Sequence, residues 1–250
     1  MSAELFSLKG KVVVITGATR GIGEGMAKGL AEAGATIILV HRGATDPTRI
    51  KSILEGINNT KVFTIAAELS SDEEVDQILP QALKLSPTGN VDVLINNAGI
   101  SKPDSTPENT SDADWAAVLQ VNITSVFRLS RAFGKYWIEN GLKGKVINTA
   151  SLYSFIGGFK VIPYTASKGA LHSLTKGLSN EWAGLGINVN SIVPGYIATD
   201  MTQHIQDNKE VLDRILARIP QERLGSIDDF KGPTVFLASD ASNYLTSSAI

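Results

Sequence analysis

The sequence predicts an α/β fold, a single-domain Rossmann-like, doubly wound parallel sheet of about seven strands with helices on both faces. Three observations carry this. Short β-branched apolar runs, closed by glycine or asparagine, recur along the chain and read as strands buried on both faces. Segments with apolar residues at helical spacing separate them, so strand and helix alternate. The length of 250 residues suits one domain with a sizeable core, with no linker or internal repeat.

Residues 11–16 (KVVVIT) form the first such run, closed by Gly17. Met26, Ala27, Leu30, Ala31 and Ala33 then repeat at helical spacing up to Gly34, and residues 37–40 (IILV) are a second strand. A helix is expected over 47–57 and a strand over 61–67. Ser71 with Glu74 three residues on has the spacing of a capping box and opens a helix over 71–85. A strand over 91–95 ends in Asn96-Asn97-Ala98-Gly99. Residues 111–141 read as one long helix, 145–149 as a strand, 164–184 as a helix and 187–192 as a strand before Pro194-Gly195. Helices over 209–217 and 228–238 follow.

Composition narrows the function. Net charge is −2 and no Lys/Arg-rich run occurs, so nothing points to nucleic acid or an anionic membrane surface. With no cysteine, thiolate catalysis and Cys-metal sites are excluded. His41, His172 and His204 have no metal-ligand spacing, and no metal is expected. No apolar run approaches the roughly 20 residues of a membrane span. Residues 1–9 lack the apolar core of a signal peptide, so a cytoplasmic protein is expected.

The turn Thr16-Gly17-Ala18-Thr19-Arg20-Gly21-Ile22-Gly23 sits between the first strand and its helix. Glycines there let backbone amides approach a pyrophosphate, whose charge a helix N-terminus favours. The end of the second strand carries His41 and Arg42, where an NAD site would place an acid. With Arg20 in the glycine turn, two guanidiniums suit a 2′-phosphate. NADP(H) is therefore favoured over NAD(H), which stays open.

Further on, Tyr164 and Lys168 stand four residues apart, on one face of the expected helix. A fixed cation beside a phenol favours the phenolate, so Lys168 is expected to lower the Tyr164 pKa and make it a general acid/base.

Several motifs in order resemble the short-chain dehydrogenase/reductase family over essentially the whole chain. They are the glycine turn, Asn96-Asn97-Ala98-Gly99, Asn122, Ser151 thirteen residues ahead of Tyr164, Tyr164-Thr165-Ala166-Ser167-Lys168, and Pro194-Gly195-Tyr196-Ile197-Ala198-Thr199. The resemblance implies that Tyr164 is the acid in reduction and the base in oxidation. Lys168 tunes it and holds the nicotinamide ribose, Ser151 polarises the substrate oxygen, and Asn122 holds a water in a proton relay. Gly17, Thr19, Arg20, Gly21, Ile22, Gly23, His41 and Arg42 fall on the cofactor side. So do Glu68 (where the family usually has Asp) with Leu69, then Asn97, Ala98, Gly99, Pro194, Gly195, Ile197 and Thr199.

Stretches such as 150–158, 180–183 and 232–239 resemble sugar-acid dehydrogenases acting on 2-deoxy-D-gluconate or related keto-deoxy acids, whose members generally favour NAD. Ser151, Tyr153, Phe155, Tyr196 and Met201 are expected to line the substrate pocket, with 201–208 as a lid, and Lys102 either meets a carboxylate or faces solvent. The aromatics suit a hydrophobic cyclic or secondary-metabolite ketone equally well, and a 3-oxoacyl reductase or a non-catalytic nucleotide sensor remain alternatives. Val118, Val121, Val126, Phe127, Leu129 and Phe133 give the 111–141 helix more apolar surface than one sheet face needs, so a homotetramer or homodimer is expected. Ser226-Ile227-Asp228-Asp229 replaces a usual Pro-Glu pair and is expected to affect a helix cap alone. The sequence stops at Ile250, short of the family's usual final strand, and its natural C-terminus is expected to be missing.

Overall fold

Strand and helix alternate through a computed structural model of the chain, which describes residues 2–102 and 106–250. A short helix α1 (Ser2–Leu5) precedes β1 (Val12–Thr16), α2 (Gly21–Glu32), β2 (Thr36–His41), α3 (Thr48–Glu55), β3 (Val62–Ala66), α4 (Asp72–Leu85) and β4 (Val93–Asn96). Then come α5 (Asp112–Leu119), α6 (Ser125–Glu139), β5 (Gly144–Thr149), α7 (Ile162–Trp182), β6 (Ile187–Ile192), α8 (Gln203–Gln206), α9 (Lys209–Leu216) and α10 (Lys231–Ala238).

All six strands are parallel, in the order β3-β2-β1-β4-β5-β6. The order reverses between β1 and β4, and such a switch point opens a crevice at the strands' carboxyl ends. Alternate residues of β1 serve opposite faces. Val13 and Ile15 pack with Met26 and Leu30 of α2 and Leu237 of α10. Val12 and Val14 pack with Ile78 of α4 and Phe133 and Trp137 of α6. Both faces are covered, which is why the strands read as unbroken apolar runs.

Among the described residues six strands stand where about seven are expected. Residues 247–250 do run beside β6. Ser191 N donates to Ser248 O (2.8 Å), Ile250 N to Ser191 O (3.1 Å) and Val193 N to Ile250 O (2.6 Å). This stretch counts as one isolated bridge, Ser191 with Ala249, and not as a strand.

The long helix over 111–141 is also not continuous. Between α5 and α6, residues Gln120–Thr124 take a π turn, in which Ser125 N reaches back five residues to Gln120 O. The extra residue per turn carries Asn122 inward, and such π turns are frequent at functional sites. The capping box expected at Ser71 is half formed. Ser71 Oγ accepts from Glu74 N (3.3 Å), but the Glu74 carboxylate takes the Glu68 N–H (2.8 Å), fixing the exit of β3. At Ser226 the box is complete with Asp229, so that sequence departure is a helix cap.

Helix α2 lies close against the turn that leads into α10. A Cβ on Gly25 would stand 1.9 Å from the carbonyl oxygen of Ile227. Alanine gains roughly 1 kcal/mol of helix propensity over glycine, but here backbone must move to admit it. Gly25→Ala is expected to lower the unfolding free energy by about 1–3 kcal/mol, since overpacking outweighs propensity. Urea unfolding measures it, and an unchanged or raised midpoint would contradict this close packing.

Candidate active site

The switch point is held by Asn97, just past β4. Its Nδ2 donates to the carbonyls of Thr16 (3.0 Å) and Gly17 (3.0 Å), and its Oδ1 accepts from Thr149 Oγ1 (3.3 Å). Thr16 Oγ1 in turn accepts from the backbone N–H of Asn97 (3.1 Å) and Ala98 (3.0 Å). One side-chain amide thus ties the ends of β1, β4 and β5. Beneath it, Asn96 donates to Asn148 (2.9 Å), its partner in the sheet register, and Asn148 to Thr175 of α7 (3.0 Å).

The glycine turn fits a ligand backbone. Gly17 (φ +67) and Gly21 (φ +59) occupy the left-handed region. A Cβ on Gly23 would lie 2.5 Å from Asn97 Nδ2, so the turn and the β4 exit pack too closely for any larger residue. The N-terminus of α2 begins there, with Thr199 against Gly21 across the crevice. Thr199 N is held by Thr202 Oγ1 (3.1 Å), and Pro194 O accepts from Leu152 N (2.9 Å). Ile22 packs on the core, Leu69 and Ile197 are buried, Gly195 is exposed, and Glu68 is half-buried.

The two guanidiniums expected together do not act alike. Arg20 pairs with Asp200 at 2.9 Å, both side chains being well exposed. Arg42 is exposed and has no ion pair among the described residues, while its carbonyl contacts His41 Nδ1 at 2.9 Å. An exposed pair contributes at most about 1 kcal/mol, so a phosphate can draw Arg20 away from Asp200. Sequence reasoning missed Arg49 of α3, which donates to Thr19 O (2.9 Å) and to the buried carboxylate of Glu24 (2.5 Å). Lys28 completes that group at 2.8 Å. Cations keep the Glu24 pKa low although its burial pushes the other way. Nothing in local sequence pattern signals Arg49, because α3 meets α2 only after folding.

At the opposite end of the crevice, α7 delivers Tyr164 and Lys168 from one face. Lys168 is 3% exposed, and its Nζ donates to Thr149 O at 2.6 Å. It stands 5.5 Å from the centroid of the Tyr164 ring. A Cβ on Gly99 would lie 3.5 Å from this Nζ and 3.3 Å from Asn122 Oδ1, so only glycine leaves the space open. Ser151 is buried and accepts from Tyr153 N (3.2 Å).

The side chain of Asn122 is already engaged. It accepts from Ile100 N (2.9 Å) and donates to Ile100 O (2.9 Å) and Ser167 Oγ (3.0 Å). It therefore clamps the π turn to the β4 exit and to α7, beside Lys168.

Electrostatics corrects one expectation. Lys168 was expected to lower the Tyr164 pKa. Burial instead raises it above the usual phenol, and the opposing influence is the hydrogen bond from Ser151. Burial also lowers Lys168 itself, to about 8. The dry site disfavours both charged forms, so in the free protein Tyr164 keeps its proton.

A wall of tyrosines faces this pair. Tyr153 meets Tyr164 edge-on at 6.2 Å and Tyr196 at 6.4 Å, and the Tyr153 and Tyr196 hydroxyls are 3.1 Å apart. Phe155 turns instead onto His172 at 4.5 Å, two helical turns along α7. Met201 is half-exposed beside Asp200. Lys102 pairs with Asp114 at 3.0 Å.

The short chain dehydrogenase family model matches residues 11–210. The chain belongs to the short-chain dehydrogenase family. It is an oxidoreductase. The 2-dehydro-3-deoxy-D-gluconate 5-dehydrogenase of Pseudoalteromonas atlantica is 44% identical, over 99% of this chain and 96% of its own length. The protein of the same name from Escherichia coli is 40% identical, over 100% and 96%. A gluconate 5-dehydrogenase from Burkholderia cenocepacia J2315, solved in complex with NADP and tartrate, superposes with a TM-score of 0.92 at 31% identity, over 100% of this chain and 96% of that one.

In this short-chain dehydrogenase the buried lysine opposes stability. Its pKa is about 8 folded against 10.5 ordinarily, so between these values the unfolded chain binds more protons and stability rises with pH. Below pH 8 the full penalty of burying the charge is present. Lys168→Met is therefore expected to be more stable than wild type at pH 6.5 by about 1–3 kcal/mol, the lost hydrogen bond included. The gap should shrink as pH rises towards 10. Urea unfolding at several pH values checks this, and a variant less stable at every pH would contradict it.

Proposed function

We propose that the protein is an NADP(H)-dependent dehydrogenase of a keto-deoxy sugar acid, with Asn122, Ser151, Tyr164 and Lys168 as its catalytic group. The observation that carries the chemistry is the buried Lys168 ammonium 5.5 Å from the centre of the Tyr164 ring, with the buried Ser151 hydroxyl acting on the same phenol. Both hydroxyls can bond one substrate oxygen; in reduction Tyr164, kept protonated by burial in the free protein, gives its proton to that oxygen, and in oxidation its phenolate takes the proton of the substrate hydroxyl. Lys168 sits close enough to stabilise the phenolate left behind, while Thr149 O holds it in place. Asn122 fixes the helix positions on which both depend, and a water on the π turn returns the proton through Lys168. Bound NADP(H) supplies or accepts the hydride.

The unpaired Arg42 and the displaceable Arg20 support a 2′-phosphate, and a relative of the same fold was solved with NADP. The glycines at 17, 21 and 23, with Thr19, Ile22, Asn97, Ala98, Gly99, Pro194, Gly195, Ile197 and Thr199, form the cofactor's bed. His41, Glu68 and Leu69 lie at its adenosine end. The sugar acid is supported by relatives named for 2-dehydro-3-deoxy-D-gluconate and gluconate. It also agrees with the wall opposite Tyr164, whose two phenols meet through their hydroxyls and give a polar surface. A slot for a hydrophobic ketone would turn ring faces inward.

The reading includes a single domain, a cytoplasmic location, and a homodimer or homotetramer. Among the described residues no helix is long and apolar enough to cross a membrane. Of the apolar side chains on α5 and α6, Val118, Val126, Leu129 and Phe133 are spent on the core. Trp115 and Phe127 stay about 40% exposed and are available to a second copy.

Absorbance at 340 nm tests the proposal, with 2-dehydro-3-deoxy-D-gluconate as substrate. Turnover is expected, faster at low cofactor concentration with NADP⁺ than with NAD⁺. Tyr164→Phe is expected to slow it by about 10²- to 10⁴-fold. Turnover of uncharged ketones alone, or a Tyr164→Phe variant as fast as wild type, would contradict the reading.

A further inference from the structure

At the amino ends of the strands, opposite the crevice, the molecule carries a second cluster of titratable groups. A cavity of about 380 Å³ opens there, and Lys11, Asp92, Lys143, Lys145, Asn188 and Asp240 are on its wall. Such a volume accommodates a small metabolite. Lys145 stands level with Val93 of β4 and Asn188 of β6, and Lys11 lies two residues ahead of Val13 of β1. Val13 and Val93 belong to the core under α2 and α10, so both lysines share that face of the sheet. Strands β1 and β5 flank β4 and lie about 10 Å apart, and lysine side chains about 6 Å long can meet one small anion between them.

Lys145 is half-buried, and its hydrogen-bond partners are neutral. Its Nζ donates to Ser242 Oγ (3.0 Å) and to Asn188 Oδ1 (3.5 Å). Ser242 Oγ directs its own proton to the carbonyls of Leu237 (3.0 Å) and Ser239 (3.2 Å) at the end of α10, which leaves its lone pairs to the lysine. Of the two carboxylates on the wall, Asp92 is bound by Lys11 (3.4 Å) and Val12 N (2.8 Å), and Asp240 accepts from Asn243 Nδ2 (3.4 Å). Burial, with Lys11 adding to it and Asp240 opposing, lowers the Lys145 amine to about 8. Lys168 is lowered as far, but it belongs to the proposed hydride-transfer site, in which Lys145 has no part.

The other two lysines supply charge. Lys143 is exposed and has no ion pair among the described residues. Its stem runs beside Gly186, where a Cβ would stand 3.2 Å from Lys143 Cγ. An ammonium has three N–H donors, so the contact of Lys11 with Asp92 leaves it two for a ligand. A cavity that combines a partly neutral amine with two further ammonium groups suits an anion that is also an electrophile.

We propose that Lys145 is an acylation site for small acyl phosphates, with Lys11 and Lys143 holding the phosphate. The neutral amine nitrogen bonds to the acyl carbon, and the bond from that carbon to the phosphate oxygen breaks. Inorganic phosphate leaves with the electron pair, and the nitrogen sheds its extra proton to water. The product amide carries no charge and keeps one N–H for Ser242, so the cost of burying an ammonium at this place is removed. The inference is independent of the sugar-acid reading.

The test treats the full chain with acetyl phosphate and reads the initial rate at each lysine by peptide mass mapping. Lys61 and Lys84, exposed and without ion pairs among the described residues, serve as internal standards. A group with pKa about 8 is neutral far more often at pH 7 than an ordinary lysine, and the weaker base is a poorer nucleophile, so Lys145 is expected to react about tenfold faster than either standard. Its rate should level off above about pH 8, while theirs keep rising. Lys143→Ala should slow acetylation of Lys145 by acetyl phosphate about threefold, the worth of one exposed charge contact. The same variant should leave the rate with uncharged N-hydroxysuccinimidyl acetate unchanged. A Lys145 no faster than Lys61 and Lys84 would overturn the proposal. A Lys143→Ala variant as fast as wild type with acetyl phosphate would overturn the assignment to acyl phosphates.

Discussion

The hydrogen bond from the Lys168 ammonium to the carbonyl of Thr149 is the contact on which the site depends. It places a charge where water does not reach, at the carboxyl end of β5. A buried ammonium is costly unless its partners are fixed in advance. Thr149 is fixed through Asn97, and Asn97 through Thr16 and Gly17, so three strand ends are tied before the charge is seated. The buried amides of Asn96 and Asn148 extend the same network to Thr175 on α7, the helix that carries Lys168. A core built for stability alone would fill this place with apolar side chains. The chain keeps a polar seam there, and the seam holds Lys168 in place.

That burial sets the acid–base character of the site. Desolvation acts in opposite directions on a phenol and an amine, raising Tyr164 and lowering Lys168 towards neutrality. In the free protein Tyr164 is therefore an acid with its proton in hand. In the proposed reaction the burden of stabilising the phenolate falls on Ser151 and on Lys168. Tyr153, also pushed up by burial and by its bond to Tyr196, stays neutral and serves as a wall.

The fold was legible because both faces of the sheet are covered, so each strand reads as an apolar run and each helix as a spaced stripe. Tyr164 and Lys168 were legible because helical spacing puts them on one face of α7, and Ser151 because its place thirteen residues ahead of Tyr164 resembles the short-chain dehydrogenases. The missed features depend on distance or on hydrogen-bond counting. The π turn at Asn122 changes a ladder by one residue and leaves no mark in hydrophobic period. Arg20 looked free because Asp200, its partner, lies 180 residues on. The expected lowering of Tyr164 came from counting the nearby charge and not the dry surroundings. The seventh strand shows as a single bridge, since residues 247–250 pair with β6 over too few positions to count as one.

The central claim is that burial, and not the neighbouring cation, sets the state of Tyr164 in the free protein. Ring-¹³C-tyrosine NMR, titrated without cofactor and assigned with Tyr164→Phe, reads it directly. The Tyr164 resonance is expected to show no ionisation until above the ordinary phenol value of about 10. A midpoint near neutrality would contradict the account, because Lys168 would then be the dominant influence on the phenol.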